Sequence, residues 1–406
     1  MHAMLIARRL ATVAIVAWLA AASATAQQPD PEAMEFSSGP IPGWSFTPAI
    51  AVGVTHDSNL TLTSTRTADG GTRSDSLFSV APAGSLNFRG KQTGFSAAYR
   101  GFLQRYVEVD GLDVFSQRAT VGFNHAATRR VSVYARNNFT DSPTTDEVEV
   151  NGVPFLRTGS RTNTLAAGAD IRLRKFTTLS TRYDVTWVDF DRAEDIPNLT
   201  GGWMHGIGGD LTERLSERLT LGGEYSYRTA SLNEGSRDIG FQNAGAILRY
   251  QFGPHTTGSA AAGVGVLHDH STDDMRTGPY VRLSITQILE HATVGAGFER
   301  QYVPSFGFGG PSNSQELRGW VQMPFGRQRF YVQASGAWRH MIPFEGDVLE
   351  IDTVRLRSTL GYAVTRWGRA EALYTYSRQD TIITGGEADR HRIGVQFVIF
   401  QPLRIR

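Results

Sequence analysis

The sequence predicts an all-β protein, a single closed antiparallel transmembrane β-barrel of about 18 strands, with 16 strands as the alternative. Three observations support this fold class. Apolar and polar residues alternate along most of the chain, and the breaks between alternating runs are short and long by turns. After residue 26, no stretch approaches the roughly 20 apolar residues that a spanning helix needs. Because a barrel strand needs an apolar residue only at every second position, a hydrophobic content of 40% is sufficient.

The first 26 residues predict a secretory signal peptide. Arg8 and Arg9 form a positive head, an apolar run follows, and Ala24 to Ala26 form a small-x-small cleavage site before Gln27. An uncleaved anchor is the alternative. The mature protein is therefore expected in the outer membrane of a Gram-negative bacterium. The chain divides into a signal peptide at 1–26, a short periplasmic segment at 27–43, the barrel at 44–400 and a periplasmic tail at 401–406.

The breaks in the alternation predict eight short turns and nine longer loops, which together join 18 strands. Barrels of the outer membrane have short periplasmic turns, longer external loops and an even strand number. The short turns lie at 89–92, 127–130, 174–176, 216–218, 253–255, 290–292, 326–328 and 366–368. The longer loops lie at 59–74, 109–113, 142–157, 192–201, 233–238, 271–274, 303–313, 341–351 and 384–389.

The segment Thr93 to Tyr106 illustrates the two faces of a strand. Phe95, Tyr99 and Leu103 share one parity, and Arg100 has the other. Charged residues at the polar parity recur too often to fill a dry core, because each would lose its hydration there. They are therefore predicted to line a wet lumen, at Arg100, Arg118, Arg136, Arg172, Arg182, Arg214, Arg228, Arg249, Arg282, Arg318, Arg339, Arg355 and Arg357.

Proline at three strand positions fits this pattern less well. Pro48, Pro82 and Pro279 each remove one hydrogen bond from the ladder between strands. The sequence predicts a bulge at Pro82, or a second strand that begins a few residues away.

Short motifs at the two ends of the barrel resemble those of known outer-membrane proteins. The last strand resembles the C-terminal β-signal read by the barrel-assembly machinery, with Arg392, Gly394, Phe397 and Ile399 at the matching positions and six residues after Phe400 as a departure. The first strand runs into the corner Asp57-Ser58-Asn59 and is similar to the first hairpin of the β-barrel porin 2 group. Several members of that group accompany exopolysaccharide synthesis and export, which the resemblance implies for this chain.

The sequence predicts neither an enzyme nor a cofactor. No phosphate loop, zinc signature or nucleophile elbow is present. The densest group of potential metal ligands is His268, Asp269 and His270, followed by Asp273 and Asp274, and a solvated loop is the simpler interpretation. With 40 basic and 39 acidic residues and no basic block, nucleic acid is excluded as a partner.

Three functions remain compatible with the sequence, namely a porin-like channel, an export barrel for an exopolysaccharide and a plugged structural or adhesive barrel. The loops at 59–74 and 142–157 are long enough to fold inward, and 142–157 is the better candidate for a constriction. The thirteen arginines face seven acids of the same parity, Asp170, Asp184, Asp210, Glu224, Asp269, Glu299 and Glu371. Rings of arginine favour anions, so an open pore is predicted to be weakly anion-selective. The expected partners are membrane lipids, the assembly machinery, and polysaccharide or small anionic solutes as cargo.

The same prediction places a second group of acids in external loops, in bulk water, where salt screens their field beyond roughly 10 Å. The wall charges are therefore expected to dominate selectivity. The loop group consists of Asp146, Glu147, Glu149, Glu194, Asp195, Asp273, Asp274, Glu345, Asp347, Glu387 and Asp389.

Overall fold

A computed structural model provides the three-dimensional structure. It describes residues 43–62, 73–109, 113–147, 152–191, 199–232, 235, 237–307, 309–325, 329–344, 350–381 and 386–405. The predicted signal peptide and the acids Glu149, Glu194, Asp195, Glu345 and Asp347 lie outside these residues.

Within these ranges the chain forms 18 long strands, one short strand and a single turn of 3₁₀ helix at Thr145–Glu147. No helix in this part of the chain is long and apolar enough to cross a membrane. The strands are β1 Gly43–Asp57, β2 Asp75–Arg89, β3 Thr93–Tyr106, β4 Val114–Ala126, β5 Val131–Ser142, β6 Ser160–Arg172, β7 Thr177–Phe190, β8 Gly202–Arg214, β9 Leu219–Leu232, β10 Arg237–Gly253, β11 Thr256–Asp269, β12 Asp274–Ile288, β13 Thr293–Ser305, β14 Gly310–Phe325, β15 Phe330–Pro343, β16 Ile351–Thr365, β17 Gly368–Thr381, β18 Gly386–Phe400 and β19 Leu403–Ile405.

The 18 long strands close into one antiparallel barrel, as predicted, and the alternative of 16 strands is wrong. Each strand pairs with the next, and β1 closes the ring by pairing with both β2 and β18. The short β19 continues beyond β18 and pairs with Trp44–Phe46 of β1. Leu403–Ile405, within the segment predicted as a periplasmic tail, are thus part of the sheet. Because β1 pairs with β18, neither end of the strand order leaves the free edge that an open sheet would expose.

The barrel wall has an apolar outer face and a polar inner face. Tyr99 and Leu103 are half exposed on the outside. Arg100 and Gln104, which follow them directly in the sequence, line an internal cavity. The same alternation exposes Trp203, Ile207 and Leu211 along β8. Exposed apolar side chains at every second position around a closed sheet are what a lipid-facing wall requires.

Connections at the two ends of the barrel alternate between short and long, in the predicted order. We call the end with the short connections the turn end and the other the loop end. Several strands extend further than expected at the loop end; for example, β13 runs to Ser305 and β14 begins at Gly310, inside the loop predicted at 303–313. Pro82 causes no bulge. The pairing of β2 with β3 is interrupted between Val80 and Ala83 and resumes in the same register.

Packing inside the loop end is apolar. Ten buried residues from strands and inward-folded loops form one group, which we call the apolar cluster. Its members are Val153, Val188, Phe190, Leu199, Ala230, Leu232, Ile239, Phe241, Leu267 and Phe306. Burying such side chains contributes roughly 1.5–3 kcal/mol each. The apolar cluster therefore fixes the loops within the barrel at this end.

Candidate pore and its inner loop

All thirteen arginines predicted to face the lumen lie on the inner face of the wall. Each is adjacent in its strand to a residue that faces outward, and successive strand residues face opposite sides. Arg118, for example, precedes the outward-facing Ala119, and Arg339 follows the outward-facing Trp338. Several are paired with carboxylates on strands two or three places away in the barrel. Arg249 of β10 lies 3.2 Å from Asp210 of β8, and Arg282 of β12 lies 2.5 Å from Glu224 of β9.

The inner wall also carries charged residues that were not predicted. Glu316 lies 2.5 Å from Arg339, and Arg369 lies 2.7 Å from Glu371. Glu316 has the same parity as Arg318, two residues further along β14, so strand parity alone could have identified it.

Five charged residues form a buried network where β1 and β18 close the barrel, and we call this network the latch. Arg390, on β18, is 1% exposed and lies 2.5 Å from Asp57 of β1 and 2.9 Å from Asp146. Arg392 lies 3.3 Å from Asp57 and is ion-paired with Glu147. The strands contribute three members of the latch, and the loop between β5 and β6 contributes Asp146 and Glu147.

The described residues of the connection at 143–159, namely 143–147 and 152–159, therefore fold into the barrel, and we call this connection the inner loop. The described residues fold inward as expected for 142–157, and a constriction there stays a prediction. The structure corrects the placement of Asp146 and Glu147 among charges in bulk water. Both carboxylates lie inside the barrel, since they are ion-paired with the inward-facing Arg390 and Arg392 of β18.

The far side of the inner loop is held by uncharged contacts. Phe155 is fully buried, and its backbone N–H donates to Gln379 Oε1 at 2.8 Å, while Gln379 Nε2 donates to the Val153 carbonyl at 3.0 Å. Gly152 adopts a φ of +65°, and a Cβ there would lie 1.9 Å from Ser305 Oγ. Glycine is therefore required at this position, both by the backbone conformation and by the close approach.

The other loop predicted to fold inward lies at 59–74. Fewer of its described residues reach the interior of the barrel than in the inner loop. Leu60 is fully buried against Leu77, Tyr106 and Val109. Its carbonyl accepts a hydrogen bond of 2.8 Å from Arg157 of the inner loop. Residues 63–72 lie outside the described residues.

Two cavities adjoin the inner loop, and Glu147 and Arg357 line both. The smaller cavity, of about 250 Å³, is lined by four arginines and four carboxylates. The larger cavity, of about 690 Å³, is lined by five arginines, Arg100, Arg118, Arg357, Arg369 and Arg392, and by three carboxylates, Asp141, Glu147 and Glu371. The positive excess of the lining is thus concentrated in the larger cavity.

The two carboxylates of the inner loop are held in the charged form. Burial alone would raise the pKa of Asp146, but Arg390 and Arg392 outweigh it and hold that pKa below its usual value of 3.8. Burial likewise opposes ionisation of Glu147, and the charge of Arg392 lowers its pKa below the usual 4.5. The latch therefore consists of charged pairs at neutral pH.

The four residues matched to the β-signal divide between the two faces. Phe397 and Ile399 point outward and are 42% and 51% exposed. Gly394 and Arg392 have the inward parity, and Arg392 belongs to the latch.

The weak metal candidate is not assembled in the structure. His268 and Asp269 point to opposite faces of β11, and Asp269 accepts hydrogen bonds from Ser271 and is ion-paired with Arg237. His268 Nε2 instead lies 3.2 Å from Asp273. In the part of the chain that the structure describes, no group of three histidine or carboxylate residues is arranged to hold a metal ion.

The fold and this site together define a closed 18-stranded β-barrel with an apolar outside, a charged inside and an inward-folded loop. No family model matches the chain, and no curated protein matches it. It is similar to the solved structure of OccAB4 from Acinetobacter baumannii, with 8% identity and a TM-score of 0.45, over 89% of this chain and 98% of that one.

Two proteins from Pseudomonas aeruginosa are similar at the same level. The outer membrane protein OpdK has 10% identity and a TM-score of 0.43, over 88% of this chain and 99% of that one. The siderophore receptor PirA has 10% identity and a TM-score of 0.43, over 90% and 81%. At these values we draw no functional conclusion from the likeness.

Proposed function

We propose that the protein is an outer-membrane porin-like channel, weakly anion-selective and without catalytic activity. The observation that carries the proposal is the arginine-rich inner wall within a barrel whose outer face is apolar. Such a wall places its charges in water and its apolar side chains in lipid. The predicted signal peptide and β-signal support an outer-membrane location and assembly by the barrel machinery.

Anion preference follows from where the charges lie. A positive excess in the larger cavity acts at close range on a solute in a confined space, and rings of arginine favour anions there. The smaller cavity has balanced charges and is expected to contribute little. Small inorganic anions and acidic sugars are the solutes of matching chemistry.

The reversal potential of the purified barrel in a planar bilayer under a salt gradient tests this proposal. We expect current through single channels and a potential whose sign shows anion preference. Cation preference would overturn the selectivity. A barrel that inserts but carries no current would favour the third function, a plugged structural or adhesive barrel.

Export of an exopolysaccharide is the second candidate, and one further observation favours it. A third cavity, of about 760 Å³, lies at the turn end, and its mixed lining includes hydroxyl and amide groups, among them those of Asn87, Ser96 and Asn124. These groups can hydrogen-bond the hydroxyls of a sugar. A polymer would have to displace the inner loop, so permeation of neutral oligosaccharides into liposomes should rise sharply when that loop is removed.

A further inference from the structure

The barrel wall is incomplete between β12 and β13. These strands pair only from Val281 to Ile288 with Thr293 to Arg300. Among the residues that the structure describes, β12 from Asp274 to Tyr280 has β11 on one side and no strand on the other. Pro279 lies in the unpaired part. An unpaired strand edge within a barrel is costly unless other groups cover it.

The missing partner is the tip of the β13–β14 hairpin, which bends into the barrel as a unit. The hairpin stays paired to its end, where Ser305 faces Gly310. Gln301 of this tip accepts hydrogen bonds from Arg228 of β9 and Asn243 of β10, which lie four and three strands away from β13, respectively. At the end of the hairpin, Phe306 enters the apolar cluster.

A side chain of the hairpin tip packs over the inner face of β11 and β12, beside the unpaired edge. Tyr302 occupies the space beside Gly278, where a Cβ would lie 2.3 Å from the tyrosine hydroxyl. Its ring packs edge-on against Phe344 at 5.5 Å, and Arg276 lies 4.4 Å above the Phe344 ring. Side chains can change rotamer much faster than a strand can leave a sheet.

The gap joins two apolar regions. On the outside, Met275 is 65% exposed and Val264 is 53% exposed. On the inside, Tyr302 and Phe344 pack directly against the apolar cluster. Arg228 lies near the same hairpin tip, and its buried Nε has no hydrogen-bond partner among the described residues. A cation beside an apolar cluster matches a ligand with an anionic head and an apolar tail.

We propose that the gap between β12 and β13 is a lateral entrance. Through it, a ligand with an acyl-type tail and an anionic head group passes between the bilayer and the apolar cluster. Tyr302 and Phe306 move aside to admit the tail, and Arg228 binds the head group. Gln301 and Val303 of the same hairpin line the smaller cavity, but Arg228, Tyr302 and Phe306 line neither arginine-rich cavity, so the route does not depend on ion conduction.

A photoactivatable palmitic acid in phospholipid vesicles, with the full-length barrel inserted, tests the entrance directly. We expect mass spectrometry to find label on the inward residues Phe241, Leu267 or Phe306, which bilayer lipid cannot reach. Label confined to outward residues such as Val264 and Met275 would refute the proposal.

Blocking the gap provides the second measurement, because the chain has no cysteine of its own. Thr277→Cys, on the unpaired edge, is modified with a bulky maleimide, and Gln242→Cys, on the outer face of β10, serves as the matched control. Inward labelling should fall several-fold only for Thr277→Cys. Equal inward labelling in both variants would show entry from the loop end and overturn the lateral route.

Removing the side chain that covers the inner face beside the gap should act in the opposite direction. Tyr302→Ala is expected to increase inward labelling several-fold, and Tyr225→Ala, on the outer face of β9, should leave it unchanged. Conductance of the same preparations keeps the two proposals distinguishable. A barrel that conducts ions but takes no inward label refutes the entrance alone.

Discussion

At the scale of single residues, Arg390 has the most demanding environment. It is 1% exposed and holds Asp57, which is fully buried, together with Asp146. A buried ion pair adds little net stability relative to apolar packing, but removing one partner leaves an uncompensated charge at a cost of about 3–5 kcal/mol. The latch therefore determines where the inner loop lies more than how stable the barrel is.

Arg390→Gln tests this role. We expect the barrel to unfold at a lower temperature and the inner loop to become susceptible to proteolysis, because Asp57 and Asp146 lose their shared cation. Arg378→Gln is the matched control, since Arg378 is paired with Glu387 at 2.9 Å on the outer face and is 42% exposed. Equal effects in the two variants would contradict the assignment.

The pH dependence of conductance tests the two loop carboxylates. Folding lowers the pKa of Asp146 and of Glu147 below the unfolded values of 3.8 and 4.5. The stabilisation that the two ionised carboxylates provide is therefore complete above the unfolded values, and it is lost as the pH falls through the lower folded values. Single-channel conductance should therefore stay constant between about pH 7 and 5, and rise only in stronger acid. A rise near pH 6 would point to a histidine instead of the latch.

At the scale of elements, strand alternation predicted the fold because it reflects the local environment of each residue. Leu165 and Tyr183 face outward and Arg182 faces inward, and this orientation does not depend on residues far away in the sequence. The order of short and long connections follows from the same pattern. Alternation could not show that β12 and β13 separate between Val281 and the loop end, because each strand still alternates apolar and polar residues there.

The course of a loop depends on partners far away in the sequence. Asp146 meets Arg390, 244 residues later, and Phe155 meets Gln379, 224 residues later. Its length predicted the inner loop as a constriction, but nothing in its own residues identifies the strands that it contacts. For the same reason, Asp146 and Glu147 were expected in bulk water.

Replacing Thr145 to Leu156 by a short glycine linker tests the inner loop as the constriction. We expect single-channel conductance to increase several-fold, because the segment that narrows the loop end is removed. The exposed connection His270 to Asp273, replaced by glycine, is the control and should leave conductance unchanged. Unchanged conductance in the loop variant would place the narrowest point elsewhere.

At the scale of the whole molecule, the protein is almost neutral, with 40 basic and 39 acidic residues, yet its charges are unevenly distributed. Most charges of the inner wall are balanced within a few ångströms, as at Arg282 and Glu224. Balanced pairs produce little net field at a distance. Selectivity should therefore depend on the larger cavity, where five arginines face three carboxylates.

Reversing two charges of that cavity tests the anion selectivity of the whole pore. Arg100 and Arg118 face each other on neighbouring strands and both line the cavity. In the double variant Arg100→Glu/Arg118→Glu, the lining changes from an excess of two positive charges to an excess of two negative charges. The reversal potential under a salt gradient should change sign, and more so in dilute salt, where screening is weaker. Arg105→Glu is the control, because Arg105 lies on the outer face with its side chain 84% exposed. An unchanged potential in the double variant would show that selectivity is set elsewhere in the barrel.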